Sequence, residues 1–159
     1  MLFNVGDKVV YPMHGAGVIE AIEEKEVLGA SQRYYIMRLP MGDMRVMIPT
    51  HNVEEIGLRR VISETEVEEV FAVLRADRTT MSTNWNRRYR ANLEKIKSGD
   101  IYEVAEVVRN LVFRDREKGL STGERKMLDS AKQILVSELV LAKGIDEEDA
   151  NEILEQVMS

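Results

Sequence analysis

Trp85 is the only tryptophan of the 159 residues, and it stands inside a basic stretch, TNWNRRYRANLEKIKSGD at 83–100. Arg87, Arg88 and Arg90 follow it closely, with Lys95 and Lys97 further on. Between 78 and 97 six basic residues stand against one acid, Glu94, on a chain whose net charge is −6. Guanidinium and ammonium groups neutralise phosphate, and an aromatic ring beside them is apolar surface for bases. A basic island of this kind is the electrostatic footprint of a nucleic-acid contact even on an acidic protein.

These residues need a helix to hold them. Thr83 or Asn84 can accept from the free N–H groups of a first turn, and Gly99 after Ser98 is a stop signal. Trp85, Tyr89, Leu93 and Ile96 recur at three- and four-residue steps and share one face. Arg88, Asn92 and Lys95 flank that face on one side, Arg90 and Lys97 on the other. Two readings of Trp85 follow. On the stripe it is a core residue, and the arginines are a solvated rim. In the first helical turn, beside Asn84, Asn86, Arg87 and Arg88, it projects past the packed body among residue types that contact phosphates and bases.

Other chemistry is poorly supported. The chain has no cysteine and two histidines, His14 and His51. Neither a thiolate site nor a disulfide is possible, and a bound metal is not expected. Gly15-Ala16-Gly17 precedes a strand rather than a helix and reads as a turn, not a phosphate loop. No nucleophile–base arrangement is visible, and the carboxylates fall on helix surfaces. The chain reads as a non-enzyme without a cofactor. It contains no apolar run of about 18 or more residues and no signal-peptide pattern, so a soluble cytoplasmic protein is expected.

The expected fold class is α+β, with a change of pattern near residue 60. Residues 1–60 carry short apolar runs at roughly ten-residue spacing, which predicts a small antiparallel barrel of the SH3/Tudor type. The strands are Val9–Tyr11, 18–26 with alternating faces, 33–39 and 44–48, and a short fifth at 53–58. Gly29 marks a hairpin tip, and Pro40–Asp43 a turn. Seven basic and eight acidic residues leave this half nearly neutral. Residues 61–159 predict about five helices. Ser63 with Glu66 and Ser121 with Glu124 are capping boxes, Asp100 is a cap, and Gly119 and Gly144 are stops. Apolar stripes run through Val67, Val70, Phe71 and Leu74, through Val104, Val107, Val108, Leu111 and Val112, and through Met127, Leu128, Ala131, Ile134, Leu135 and Leu139. The last helix, 146–157, carries six acids and no base.

The opening FNVGDKVVYPMHGAGVIEAIE resembles the N-terminal module of the CarD/CdnL transcription regulators, which is shared with the transcription–repair coupling factor. TNWNRRYRANLEKIKSGD, EVAEVVRNL and GLSTGERKMLDSAKQIL are similar to the helical domain of that family. The resemblance implies a Tudor-like module at 1–60 that docks on the beta subunit of RNA polymerase through its sheet edge. Its contact residues would be Lys25, Tyr35, Met37, Arg45 and Met47. It implies a DNA-binding domain at 61–159 that touches promoter DNA at the upstream edge of the melted bubble. Trp85 would be the wedge that holds the open complex. Asn86, Arg87, Arg88, Arg90, Lys95, Lys97 and Lys126 would be the accompanying DNA contacts. Arg114, Arg116, Lys118 and Arg125 form a second cluster that extends this face. A monomer is expected. An RNA-binding module and a pure protein adaptor with Trp85 buried are the competing readings from the residues alone.

Overall fold

The structure, a computed structural model, describes residues 2–159. Its first half is one antiparallel sheet: β1 (Lys8–Tyr11), β2 (Gly15–Val27), β3 (Ala30–Leu39), β4 (Met44–Pro49) and the two-residue β5 (Arg59–Arg60). The order is β4-β3-β2-β1-β5, so β4 and β5 are free edges and hydrogen bonding does not close the sheet. Between β4 and β5 lies a 3-10 turn (Thr50–Asn52) and a one-turn helix, α1 (Val53–Ile56), where the apolar pattern predicted a strand. Glu54 and Glu55 favour a helical first turn, and Gly57 ends it with φ 82°.

Strict alternation also fails on β2, for a definable reason. Ile19 pairs with Met37 and Ala21 with Ile36, so Glu20 is an extra residue, a bulge. The bulge shifts the pleat by one residue. Ile19 and Ile22, three apart, therefore both reach the same core, with Phe3, Val9, Tyr35, Met37, Leu39, Ile48, Val53 and Leu58.

The second half is helical: α2 (Glu64–Arg75), α3 (Trp85–Lys97), α4 (Ile101–Lys118), α5 (Thr122–Lys143) and α6 (Glu147–Met158). Ser63, Asn84, Asp100, Ser121 and Asp146 each accept a backbone N–H of the first turn. Such caps contribute about 1 kcal/mol each. The expected stripes bury as one core: Val67, Val70, Phe71 and Leu74 of α2, Val104, Val107, Val108 and Leu111 of α4, and Met127, Leu128, Ala131, Leu135 and Leu139 of α5.

The two halves pack directly. Arg59 forms a two-pronged pair with the buried Glu138 of α5, both N···O distances 2.7 Å, and its Nε donates to the Gly99 carbonyl at 2.8 Å. Ser137 Oγ accepts from the Ala16 N–H at 2.9 Å. Gly15, with φ 103°, lies so close to Ser137 that a Cβ there would stand 2.7 Å from its Oγ. Only glycine meets both demands, the left-handed backbone and the close approach.

Candidate nucleic-acid interface

α3 does not turn the expected face inward. Its buried residues are Arg88, Asn92 and Ile96, spaced four apart, while Tyr89 and Leu93 sit at the margin. Relative to the apolar stripe the helix is rotated by roughly one residue step, about a quarter turn on a 3.6-residue helix. The reason is polar. Arg88 is 3% exposed and Glu124 of α5 is 2% exposed. Arg88 Nε donates to Glu124 Oε2 at 2.7 Å and Nη2 to Oε1 at 3.1 Å. Arg88 Nη1 donates to the Ser82 carbonyl at 3.1 Å, which ties down the segment leading into α3. The Arg88 hydrogen bond is the largest of the influences that hold the Glu124 carboxyl below its ordinary range, against the opposing effect of burial.

Lys95 follows the same side of the helix and is likewise spent within the protein. Its Nζ lies 2.8 Å from Glu106 Oε1 of α4, and that bond is the foremost cause holding Glu106 below its usual range. Arg88 and Lys95, expected from the sequence to be DNA contacts, are thus structural: the first is buried, the second half-buried and paired. Asn86, Arg87 and Arg90 are different. They share the opposite side of α3, they are exposed, and among the described residues no carboxylate pairs with them. Lys97 is exposed at the far end of α3, about 18 Å along the axis from Trp85 at 1.5 Å per residue. Lys126 is exposed in the first turns of α5, three residues on from Gly123. Of the second cluster, Arg125 is paired with Asp115 at 2.7 Å and Arg116 donates to the Met158 carbonyl at 2.9 Å.

Trp85 itself is neither core nor free. It is 41% exposed. Its ring stacks on Tyr89, centroids 4.9 Å apart and planes 18° off parallel. Its Nε1 donates to Ser121 Oγ, the cap of α5, at 2.9 Å. The edge of the six-membered ring lies over Gly123, where a Cβ would come within 3.4 Å of Cζ2. The first residue of α3 and the first turn of α5 therefore meet at one indole. Two helix N-termini converge there, each with partial positive charge from unpaired N–H groups.

Ser121 and Glu124 have the spacing of a capping box, and the structure makes half of one. Ser121 Oγ accepts from the Glu124 N–H at 3.2 Å, while the Glu124 carboxylate turns to Arg88. The S-x-x-E signature is legible in the sequence, but its second purpose requires α3 and α5 to be adjacent, which no local spacing encodes.

On the sheet, β4 is the edge and β3 lies inside it. Tyr35 and Met37 on β3 are fully buried, and the Tyr35 hydroxyl accepts from the Phe3 N–H at 3.1 Å. They are core residues rather than docking contacts, because alternation on an inner strand points them at the core of the sheet. Arg45 and Met47 do stand exposed on β4, with Met44 beside them. Arg45 is paired with Glu20 at 2.8 Å. Lys25 lies opposite Gln32 on the projecting β2–β3 hairpin, beyond the last β3–β4 pair, Tyr34 with Pro49. It is not on the β4 edge.

Among the described residues no group of three His, Asp or Glu side chains is placed to hold a metal, and no helix is long and apolar enough to cross a membrane. The arrangement has two parts: a sheet with an exposed edge, fixed to a helical domain that leaves an aromatic ring and several basic side chains exposed.

Comparison with known proteins agrees in kind. The family model described as "CarD-like/TRCF RID domain" matches residues 3–62, and that described as "CarD, C-terminal domain" matches residues 69–155. YdeB of Bacillus subtilis strain 168, which carries the name of a putative transcription factor, is 44% identical over 146 residues, 92% of this chain and 95% of its own. The solution structure of the 72-residue N-terminal domain of Myxococcus xanthus CarD is 40% identical over 36% of this chain and 77% of that one, with a TM-score of 0.32. CdnLNt from Myxococcus xanthus is 43% identical over 40% of this chain and 90% of that one, with a TM-score of 0.34. The chain belongs to the CarD family of transcription factors, and residues 3–62 are its RNA polymerase-interacting (RID) domain.

Proposed function

We propose that this chain bridges RNA polymerase and promoter DNA and stabilises the open complex. Residues 1–60, a partner-binding sheet of the SH3/Tudor kind, dock on the polymerase beta subunit through β4, with Arg45 and Met47 in the contact. Residues 61–159 hold DNA at the upstream edge of the melted bubble. Trp85 is the wedge, Asn86, Arg87, Arg90 and Lys126 are its phosphate and base partners, and Lys97 lies at the outer margin. The protein acts as a monomer in the cytoplasm, without catalysis of its own.

The observation that carries this reading is the state of Trp85: a large apolar ring left 41% exposed, yet held by stacking and a hydrogen bond, at the start of a helix that also displays Arg87 and Arg90, which no carboxylate neutralises among the described residues. An exposed aromatic that is rigid loses little entropy on binding. Set against a distorted base step, such a side chain favours unstacked DNA, and nearby arginines offset the phosphate charge. A free sheet edge offers main-chain pairing to a partner strand. Tethering by the sheet raises the effective DNA concentration, so DNA affinity of the isolated protein can be weak and salt-sensitive.

The test is the lifetime of the open complex formed by purified bacterial RNA polymerase, with wild-type protein, with Trp85→Ala and with none. The wild type lengthens it, and Trp85→Ala loses most of that gain while still binding polymerase. No change on adding wild-type protein refutes the reading.

A further inference from the structure

Ser121 Oγ has one hydrogen and two lone pairs, and all three are committed. It accepts from Trp85 Nε1 at 2.9 Å and from the Glu124 N–H at 3.2 Å, and it donates to Glu124 Oε1 at 3.2 Å. That oxygen in turn accepts from Arg88 Nη2. The hydroxyl hydrogen is therefore drawn toward the carboxylate, and a lone pair is left facing the indole N–H. A lone serine hydroxyl at a surface cap rotates freely and could equally present its hydrogen. Here the buried Arg88–Glu124 pair, joined to Ser121, fixes the acceptor, and Tyr89 and Gly123 fix the plane of the ring.

We propose that Ser121 and Glu124 are positioning residues for Trp85: through the chain Arg88–Glu124–Ser121 they set the orientation of the indole that meets DNA. The inference rests on the open-complex reading above and deepens it. Arg88 then acts on DNA at one remove. It touches no phosphate, but it fixes the carboxylate that fixes the hydroxyl. Gly123 belongs to the same device, since a side chain larger than a methyl there would lift the ring from its bed.

Because Trp85 is the only tryptophan, its fluorescence reports this device directly. The variant to compare with wild type is Ser121→Gly. Glycine caps a helix almost as well as serine, so α5 keeps its start, but the acceptor for Nε1 is gone. Ser121→Thr restores a hydroxyl, and Glu124→Gln keeps the shape but removes the carboxylate. Ser121→Gly is expected to lower the steady-state anisotropy of Trp85 and raise its quenching by acrylamide, with circular dichroism unchanged. The gain in open-complex lifetime should fall on the order of fivefold, the weight of one hydrogen bond. Ser121→Thr should retain both properties, and Glu124→Gln should lie between. Anisotropy and quenching of folded Ser121→Gly equal to wild type would overturn the inference. So would a loosened ring whose lifetime gain is undiminished. If wild type itself gives no lifetime gain, the open-complex reading fails, and the fluorescence still decides by itself whether these residues hold the ring.

Discussion

Arg59 and Glu138 meet fork to fork, two N···O distances of 2.7 Å, at the seam between sheet and helices. Glu138 is wholly buried and has a third partner, the Ile62 N–H at 2.9 Å. Removing the guanidinium strands a buried carboxylate. Arg59→Met should therefore cost on the order of 3 kcal/mol, read as a lowered midpoint in urea unfolding. A midpoint equal to that of wild type would mean the pair is dispensable.

The arginines of α3 separate into two kinds by burial, and variants should separate the same way. Arg88→Ala leaves Glu124 buried and unpaired and should cost about 3–5 kcal/mol in urea melts. Arg87→Ala and Arg90→Ala should stay within about 0.5 kcal/mol of wild type. On DNA their effect reverses: each should weaken binding and reduce the slope of log K against log salt by about 1. Unchanged slopes would remove both from the DNA face.

Acid should test the Arg88–Glu124 bond. Hydrogen bonding to Arg88 lowers the Glu124 carboxyl below its ordinary value of 4.5. A carboxyl lowered in the folded state stabilises the protein above its unfolded value, and that contribution is lost as pH falls through the folded value. Glu106 acts in the same direction through Lys95. Wild-type stability should hold from neutral pH down to about 4.5 and fall below it. Glu124→Gln, less stable at neutral pH, should show a shallower fall, readable as chemical-denaturation midpoints across the acid range.

The β4 edge gives a prediction that leaves DNA aside. Met47 is exposed and lies outside the core of the sheet. Met47→Asp should leave the melting temperature within a few degrees and weaken binding to a polymerase beta-subunit fragment at least about tenfold, by titration. Tyr35→Ala, by contrast, should unfold the sheet, since its ring packs edge-on against Phe3 at 5.9 Å.

Much of this is legible in the sequence, and the misses at the site share one cause. The caps Ser63, Asp100 and Ser121 and the stripes of α2, α4 and α5 follow from local spacing, which leaves the cap of α3 open between Thr83 and Asn84. Arg88, Lys95, Tyr35 and Met37 depart from expectation because their surroundings are set at long range. Glu124 lies 36 residues from Arg88, and no periodicity on α3 announces a buried ion pair. The rotation of α3 follows from that pair, since fully buried charge must face its partner and apolar rings then shift to the margin. The β2 bulge is similar: Glu20 in the alternating run looks like an ordinary outward residue until its pairing with β3 is known.

The seam made by Arg59, Glu138, Ser137 and Gly15 has a consequence beyond stability. Because the sheet is bolted to α5 rather than hung on a linker, the span from β4 to Trp85 is a fixed length. A protein built this way is a gauge. On the proposed reading it locates DNA by distance from the polymerase, not by the letters at that place. Each base pair inserted between the two anchor points moves the target step about 3.4 Å along the axis and turns it about 35° around it. One or two such steps would carry the target out of reach of the ring, whatever its sequence.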